Sequence, residues 1–174
     1  MADCRSGSDV KKITAAVITV SDKGYEGKRE DLGGPLTAKI LEEHGYEVVY
    51  HTIVPDEQMM IEEELKKCAD ELRIDLVATT GGTGFSLRDV TPEATIAVCD
   101  RMAPGIAEAM RMESYKITKK AMLSRAASGI RWQTLIINLP GSPKAVRENL
   151  EAVLPTLAHG IEILKGDAGE CGSL

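Results

Sequence analysis

Aromatic residues are scarce: one Phe, one Trp and four Tyr make up 3% of a 174-residue chain. The core must come mainly from Ile, Leu, Val, Ala and Met. Trp132, set between Arg131 and Gln133, is expected to be partly exposed. Histidine is equally rare, with His44, His51 and His159 at a predicted helix end, in mid-strand and late in a helix. None is expected near the cleft outlined below. Neither a Ser-His-Asp triad nor a zinc site is indicated.

The four cysteines, Cys4, Cys68, Cys99 and Cys171, form no C-x-x-C and lack zinc-finger spacing. Scattered thiols without an evident signal peptide lead to the expectation of a reducing, cytoplasmic setting. No apolar run approaches the roughly 18 residues that span a membrane. There is no basic excess either. The net charge of −6 argues against a broad nucleic-acid face. An anionic ligand would have to be held locally, by helix N-termini, a few Lys or Arg, or a metal ion.

What is present fits one globular domain: 43% apolar and 28% charged residues, with no internal repeat. Residues 1–12 and 167–174 are expected as flexible tails around a single domain over 13–166. Ile13–Val20 is a continuous, largely β-branched run, the mark of a strand buried on both faces. Ser21–Gly34 is long, glycine-rich and charged, a candidate lid. Pro35–Gly45 reads as a helix, Glu47–Val54 as a strand and Asp56–Leu72 as a helix capped by Asp56. Asp75–Thr80 is a short strand. Helices follow over Thr91–Cys99 and within Ala103–Lys120, each with an early proline. A strand is centred on Leu135–Leu139. A last helix starts at Ser142–Pro143 and is expected to kink or divide at Pro155.

Alternating strands and helices predict an α/β class: a three-layer α/β/α sandwich with a mostly parallel central sheet. Ligands of such sheets bind beyond the carboxyl ends of the strands. Ser21–Asp22, Pro55–Asp56, Thr79–Asp89 and Asn138–Pro143 all fall there and can converge on one cleft.

The segment TTGGTGFSLRD, Thr79–Asp89, is the densest of these. Gly81, Gly82 and Gly84 permit positive φ and close approach of backbone amides to a ligand. No Gly-Lys-Ser/Thr follows, so it is not a P-loop, and it is not G-x-G-x-x-G. Two readings stay open, a tight structural turn and an anion cradle. Asp56 and Asp89 also read two ways: as caps or ion-pair partners, or as carboxylates holding Mg²⁺ on a nucleotide's phosphates. Ser124, Arg125, Arg131 and Lys144 carry no individual signal.

Taken together, Val20–Asp22 (VSD), Val54–Gln58 (VPDEQ), Thr79–Thr95 (TTGGTGFSLRDVTPEAT), Met122–Arg131 (MLSRAASGIR) and Leu135–Val146 (LIINLPGSPKAV) resemble one family. It is the molybdopterin adenylyltransferases of molybdenum cofactor synthesis, whose domain also occurs in gephyrin. The resemblance covers about Ile13 to Gly166, and the glycine-loop segment is its most specific part. It implies an α/β fold, a homotrimer and transfer of AMP from Mg-ATP to the terminal phosphate of molybdopterin. Pyrophosphate is released, and the product passes to a metal-inserting enzyme. It further implies Asp56 and Asp89 as catalytic, Mg²⁺-holding carboxylates and Ser124 as a residue handling the pterin. Ser21, Asp22, Thr80, Gly81, Gly82, Thr83, Gly84, Arg125, Pro140, Gly141, Ser142 and Pro143 are the remaining substrate-binding candidates. Rival readings are a silent molybdopterin carrier and a nucleotide pyrophosphatase.

Overall fold

The structure, a computed structural model, describes residues 12–166. Nearly all of the expected N-terminal tail, the whole C-terminal tail, Cys4 and Cys171 lie outside these residues. The strands are β1 (Thr14–Val20), β2 (Glu47–Val54), β3 (Leu76–Thr80), β4 (Arg101–Met102), β5 (Ser128–Arg131) and β6 (Thr134–Leu139). The helices are α1 (Asp22–Tyr25), α2 (Gly33–Glu43), α3 (Gln58–Lys66), α4 (Thr91–Val98), α5 (Pro104–Ile117) and α6 (Pro143–Lys165).

One six-stranded sheet has the order β2-β1-β3-β6-β5-β4. The pairs β1–β2, β1–β3 and β3–β6 are parallel. The pairs β5–β6 and β4–β5 are antiparallel and build one edge. That edge is where sequence patterning fell short: Ile130–Gly141 reads as one strand, yet Trp132 and Gln133 form a tight turn between β5 and β6. Trp132 adopts φ 50° there and is 57% exposed.

Period-two alternation along the buried strands makes two cores. Ala15, Val17, Leu76, Ala78, Leu135 and Ile137 face α2, α5 and α6. Ala16, Ile18, Val77 and Ile136 face α3 and α4. The result is the three-layer α/β/α sandwich with a mostly parallel sheet.

Three local expectations change. The helix expected from Pro35 begins two residues earlier, at Gly33. The helix expected over Asp56–Leu72 begins at Gln58 and widens into a π turn at Lys67–Glu71. α6 passes Pro155 undivided. Burial of Val153, Leu154, Leu157 and Ile161 against the sheet outweighs the one lost backbone bond.

The strand order reverses direction around β1: β2 lies to one side of it, β3 and β6 to the other. Such a switch point opens a crevice beyond the carboxyl ends of the strands.

Candidate active site

A cleft of about 660 Å³ occupies that crevice. All four strand-end segments reach it, and all but four of the candidate residues line it. The exceptions are Asp22, Ser124, Arg125 and Pro140.

β1 delivers Ser21, which caps α1 by accepting from Gly24 N–H at 3.1 Å. β2 delivers Asp56, and it is not a helix cap: the cap position is Glu57, whose side chain makes no capping bond. Asp56 is instead locked to the first turn of α1. Asp22 N–H donates to Asp56 Oδ2 at 2.8 Å, and Asp56 N–H donates to Asp22 Oδ1 at 3.0 Å. This reciprocal pair joins residues 34 apart in sequence and fixes the Asp56 carboxylate at the mouth of two strands.

β3 delivers the glycine loop. Gly81 sits at φ 100° and Gly82 at φ 65°. A Cβ on Gly81 would lie 2.3 Å from the Val20 carbonyl oxygen, and one on Gly82 would lie 2.3 Å from Thr91 Oγ1 and 3.2 Å from Asp56 Oδ1. Bare backbone is thus required first for close packing of the loop against β1, α4 and Asp56. Thr91 fastens the turn, donating Oγ1–H to Gly81 O at 2.9 Å and N–H to Gly82 O at 3.1 Å. Thr83, Gly84 and Asp89 extend the wall. Asp89 closes it by accepting from Ser86 N–H at 2.9 Å. It neither pairs with Arg88 nor caps α4. β6 supplies the far wall, where Gly141, Ser142 and Pro143 open α6. Thr80 Oγ1–H donates to Pro140 O at 2.9 Å, and Ser142 Oγ accepts from Ala145 N–H at 3.3 Å.

Arg125 does not face the cleft because its donors are occupied by the loop itself. Its N–H bonds Thr83 O at 2.9 Å and its Nε–H bonds Gly84 O at 2.7 Å. Its two remaining nitrogens bond Asp89 O and the Glu93 carboxylate. Ser124 lies beside it, accepting from Ala126 N–H at 3.3 Å. Arg125 is therefore a staple behind the glycine loop. Pro140 contributes its carbonyl to Thr80.

Sequence reasoning missed Arg88. It grips Asp22 through Nε and Nη2 at 3.0 and 2.9 Å and Glu57 through Nη1 at 2.7 Å. One side chain from the glycine loop thereby ties down the loops after β1 and β2. Its partners are 66 and 31 residues away, so no local spacing announces them. Also missed were Thr19, on β1, and residues 29–33, which line the cleft from the loop before α2 and from the first residue of that helix. Asp31 accepts from Thr19 Oγ1–H at 2.6 Å and Gly34 N–H at 2.9 Å. His51 Nε2 lies 3.6 Å from Asp31. The expectation that no histidine lies near the cleft is thus overturned: β2 runs beside β1 and brings His51 against a lining residue. The length and charge of the 21–34 loop were the available signal for this wall.

The carboxylates differ electrostatically. Burial, together with the nearby Asp22 and Asp89 charges, raises the Asp56 pKa above the usual carboxylate value, against the opposing Asp22 N–H and Arg88. Asp22 is held below the usual value by the Arg88 guanidinium. Asp56 is thus the group whose ionisation an added cation would relieve. Among the described residues no cluster of three or more His, Cys, Asp or Glu is placed to hold a metal. Two carboxylates without a third ligand suit Mg²⁺ shared with substrate phosphates, since Mg²⁺ usually takes one or two carboxylates plus phosphate and water oxygens.

Comparison with known proteins agrees with this geometry. The family described as a probable molybdopterin binding domain matches residues 16–159. A molybdopterin adenylyltransferase of Helicobacter pylori is 46% identical over 160 residues, covering 91% of each chain. One from Escherichia coli is 42% identical over 158 residues, covering 86% of this chain and 80% of its own. The crystal structure of the molybdopterin biosynthesis enzyme MoaB of Thermus thermophilus superposes with a TM-score of 0.84 at 46% identity, covering 88% of this chain and 97% of that one. A match spanning every strand-end segment of the cleft, joined to relatives of this identity over most of both chains, makes the chain a member of the molybdopterin-binding domain family of molybdenum cofactor biosynthesis.

Proposed function

We propose that this protein is a molybdopterin adenylyltransferase that uses Mg-ATP. The observation that carries the reading is the meeting of Asp56 and Asp89, from two different strand ends, in one glycine-walled cleft. The names of its relatives support the same activity.

An oxygen of the terminal phosphate of molybdopterin attacks the α-phosphorus of ATP. A new P–O–P bond forms, the bond to the β-phosphate oxygen breaks, and its electron pair leaves with pyrophosphate. The nucleophile is already anionic at neutral pH, so no general base is needed, and a cleft built without a catalytic histidine suffices. The difficulty is bringing anions together. Positioning and fixed electrostatics carry such a reaction. Asp56 and Asp89 would hold Mg²⁺, whose charge, when bound, offsets that of the phosphates. The glycine-loop amides and the opening of the 23-residue α6 supply neutral donors to phosphate oxygens. Arg88 and Arg125 act on the loops, keeping the two carboxylates in register.

The single-domain reading of 13–166, a homotrimer and handover to a metal-inserting enzyme belong to the same proposal. No helix among the described residues is long and apolar enough to cross a membrane. The test is anaerobic turnover with freshly released molybdopterin, ATP and Mg²⁺. Pyrophosphate matched one-for-one by adenylylated pterin supports the transferase. Pyrophosphate release without pterin makes it a hydrolase, and pterin binding without turnover makes it a carrier.

A further inference from the structure

The cleft is poor in positive charge. Among the described residues its charged lining side chains are Glu30, Asp31, Asp56, Asp89 and a single cation, Arg29. The other guanidiniums nearby are consumed: Arg88 by Asp22 and Glu57, Arg125 by Glu93 and two loop carbonyls. Arg29 is different. Among the described residues its side chain makes one hydrogen bond, Nη2 donating to Ser21 Oγ at 3.1 Å. That hydroxyl is itself fixed by Gly24 N–H, and the Arg29 backbone N–H is fixed on Lys23 O at 3.1 Å. The guanidinium is therefore aimed by its own loop while Nε and Nη1 keep their protons for a ligand.

We propose that Arg29 is the substrate-phosphate anchor of this cleft, donating to non-reacting phosphate oxygens. The assignment rests on the nucleotidyl-transfer reading and adds a residue to it. An arginine suits the task because its planar fork matches paired phosphate oxygens and stays charged at any working pH. The loop that carries it also carries Asp31, whose bonds to Thr19 and Gly34 tie that wall to β1 and α2. The phosphates served belong either to the triphosphate of ATP or to the phosphate of the pterin.

Calorimetric titration of inorganic tripolyphosphate with Mg²⁺, beside steady-state turnover, tests this without relying on catalysis alone. Arg29→Ala is expected to weaken tripolyphosphate binding, or to raise KM for one substrate, by about tenfold or more, as loss of a charge-assisted bond does. Arg29→Lys should recover part of the loss. Lys28→Ala, which removes a neighbouring charge paired with Glu26 at 2.7 Å, should not reproduce it. A raised KM for ATP assigns the triphosphate, and a raised KM for molybdopterin assigns the pterin phosphate. Unchanged binding and unchanged KM values in Arg29→Ala, or an equal loss in Lys28→Ala, would overturn the proposal. Wild-type protein without pterin-dependent pyrophosphate release would sink the transferase reading instead, with the titration still deciding the role of Arg29.

Discussion

The two ends of the parallel strands each hold an aspartate, and the two are treated in opposite ways. Asp75, at the amino end of β3, is satisfied completely. Thr14 donates its N–H and its hydroxyl at 2.8 and 3.0 Å, and Lys165 donates from the end of α6 at 2.8 Å. Burial alone would raise its pKa, but Lys165 and Thr14 outweigh burial and lower it. Asp56, at the carboxyl end of β2, is only partly buried, yet its surroundings raise its pKa. It receives one N–H and faces two other carboxylates. One end of the sheet spends its polar contacts on holding together, and the other leaves charge unsatisfied where a ligand can satisfy it.

The largest effect that would break or sharpen this contrast is on turnover. Asp89→Asn and Asp56→Asn should each lower pterin-dependent pyrophosphate release by about 10²-fold or more, the scale of losing a main electrostatic contact in a reaction centre. Asp56→Asn should nevertheless melt no lower than wild type, because it removes a carboxylate that the fold holds at a cost. A variant that lost activity only by unfolding would erase the distinction.

At the opposite end the pattern should invert. Asp75→Ala breaks a mostly buried pair and strands Lys165, costing on the order of 3 kcal/mol. It should lower the denaturant midpoint clearly while kcat/KM of the folded fraction stays within about twofold, since substitutions far from a site rarely couple to it.

Arg88→Ala sits between these extremes. Its ion pairs are exposed, at 51% for Arg88 and 37% for Asp22 side chains, so the melting temperature should change little. Turnover should fall more than stability does, by roughly tenfold, because a small displacement of a reacting group is costly. Arg88→Lys should rescue poorly, since the fork to Asp22 needs two nitrogens.

The smallest effect is in pH. Asp56 binds its proton more tightly folded than unfolded, so its contribution to stability is lost as pH rises from the ordinary value of 3.8 through its raised folded value. Asp75 runs the other way: its contribution is present above the ordinary value and disappears as pH falls through its lowered one. The stability gap between wild type and Asp75→Asn should therefore narrow in acid. The acid limb of kcat/KM, to which the free protein contributes, should sit above the ordinary aspartate value of 3.8. A limb at or below 3.8 would contradict the raised Asp56.

Much of this was legible in the sequence, and the reason is that it is local. Buried strands announce themselves as apolar runs, and loops at their carboxyl ends follow from chain order. Asp56, Asp89 and the Gly81–Gly84 turn were placed that way. What was not legible depends on pairs distant in sequence. Asp56 looked like a helix cap because nothing nearby shows that Asp22 holds it. Arg125 became a binding candidate only through the family resemblance, and nothing nearby in the sequence shows that Gly84, Asp89 and Glu93 use up its donors. The β5–β6 turn was hidden because Trp132 takes a left-handed conformation unusual for its type.

The most direct measurement is anaerobic turnover of wild type beside Asp89→Asn, with pyrophosphate and adenylylated molybdopterin both quantified. The account predicts equal amounts of the two products from wild type, only when the pterin is present, and about 10²-fold less of both from Asp89→Asn at an unchanged melting temperature. Equal turnover in the two proteins, or pyrophosphate formed without pterin, would contradict it.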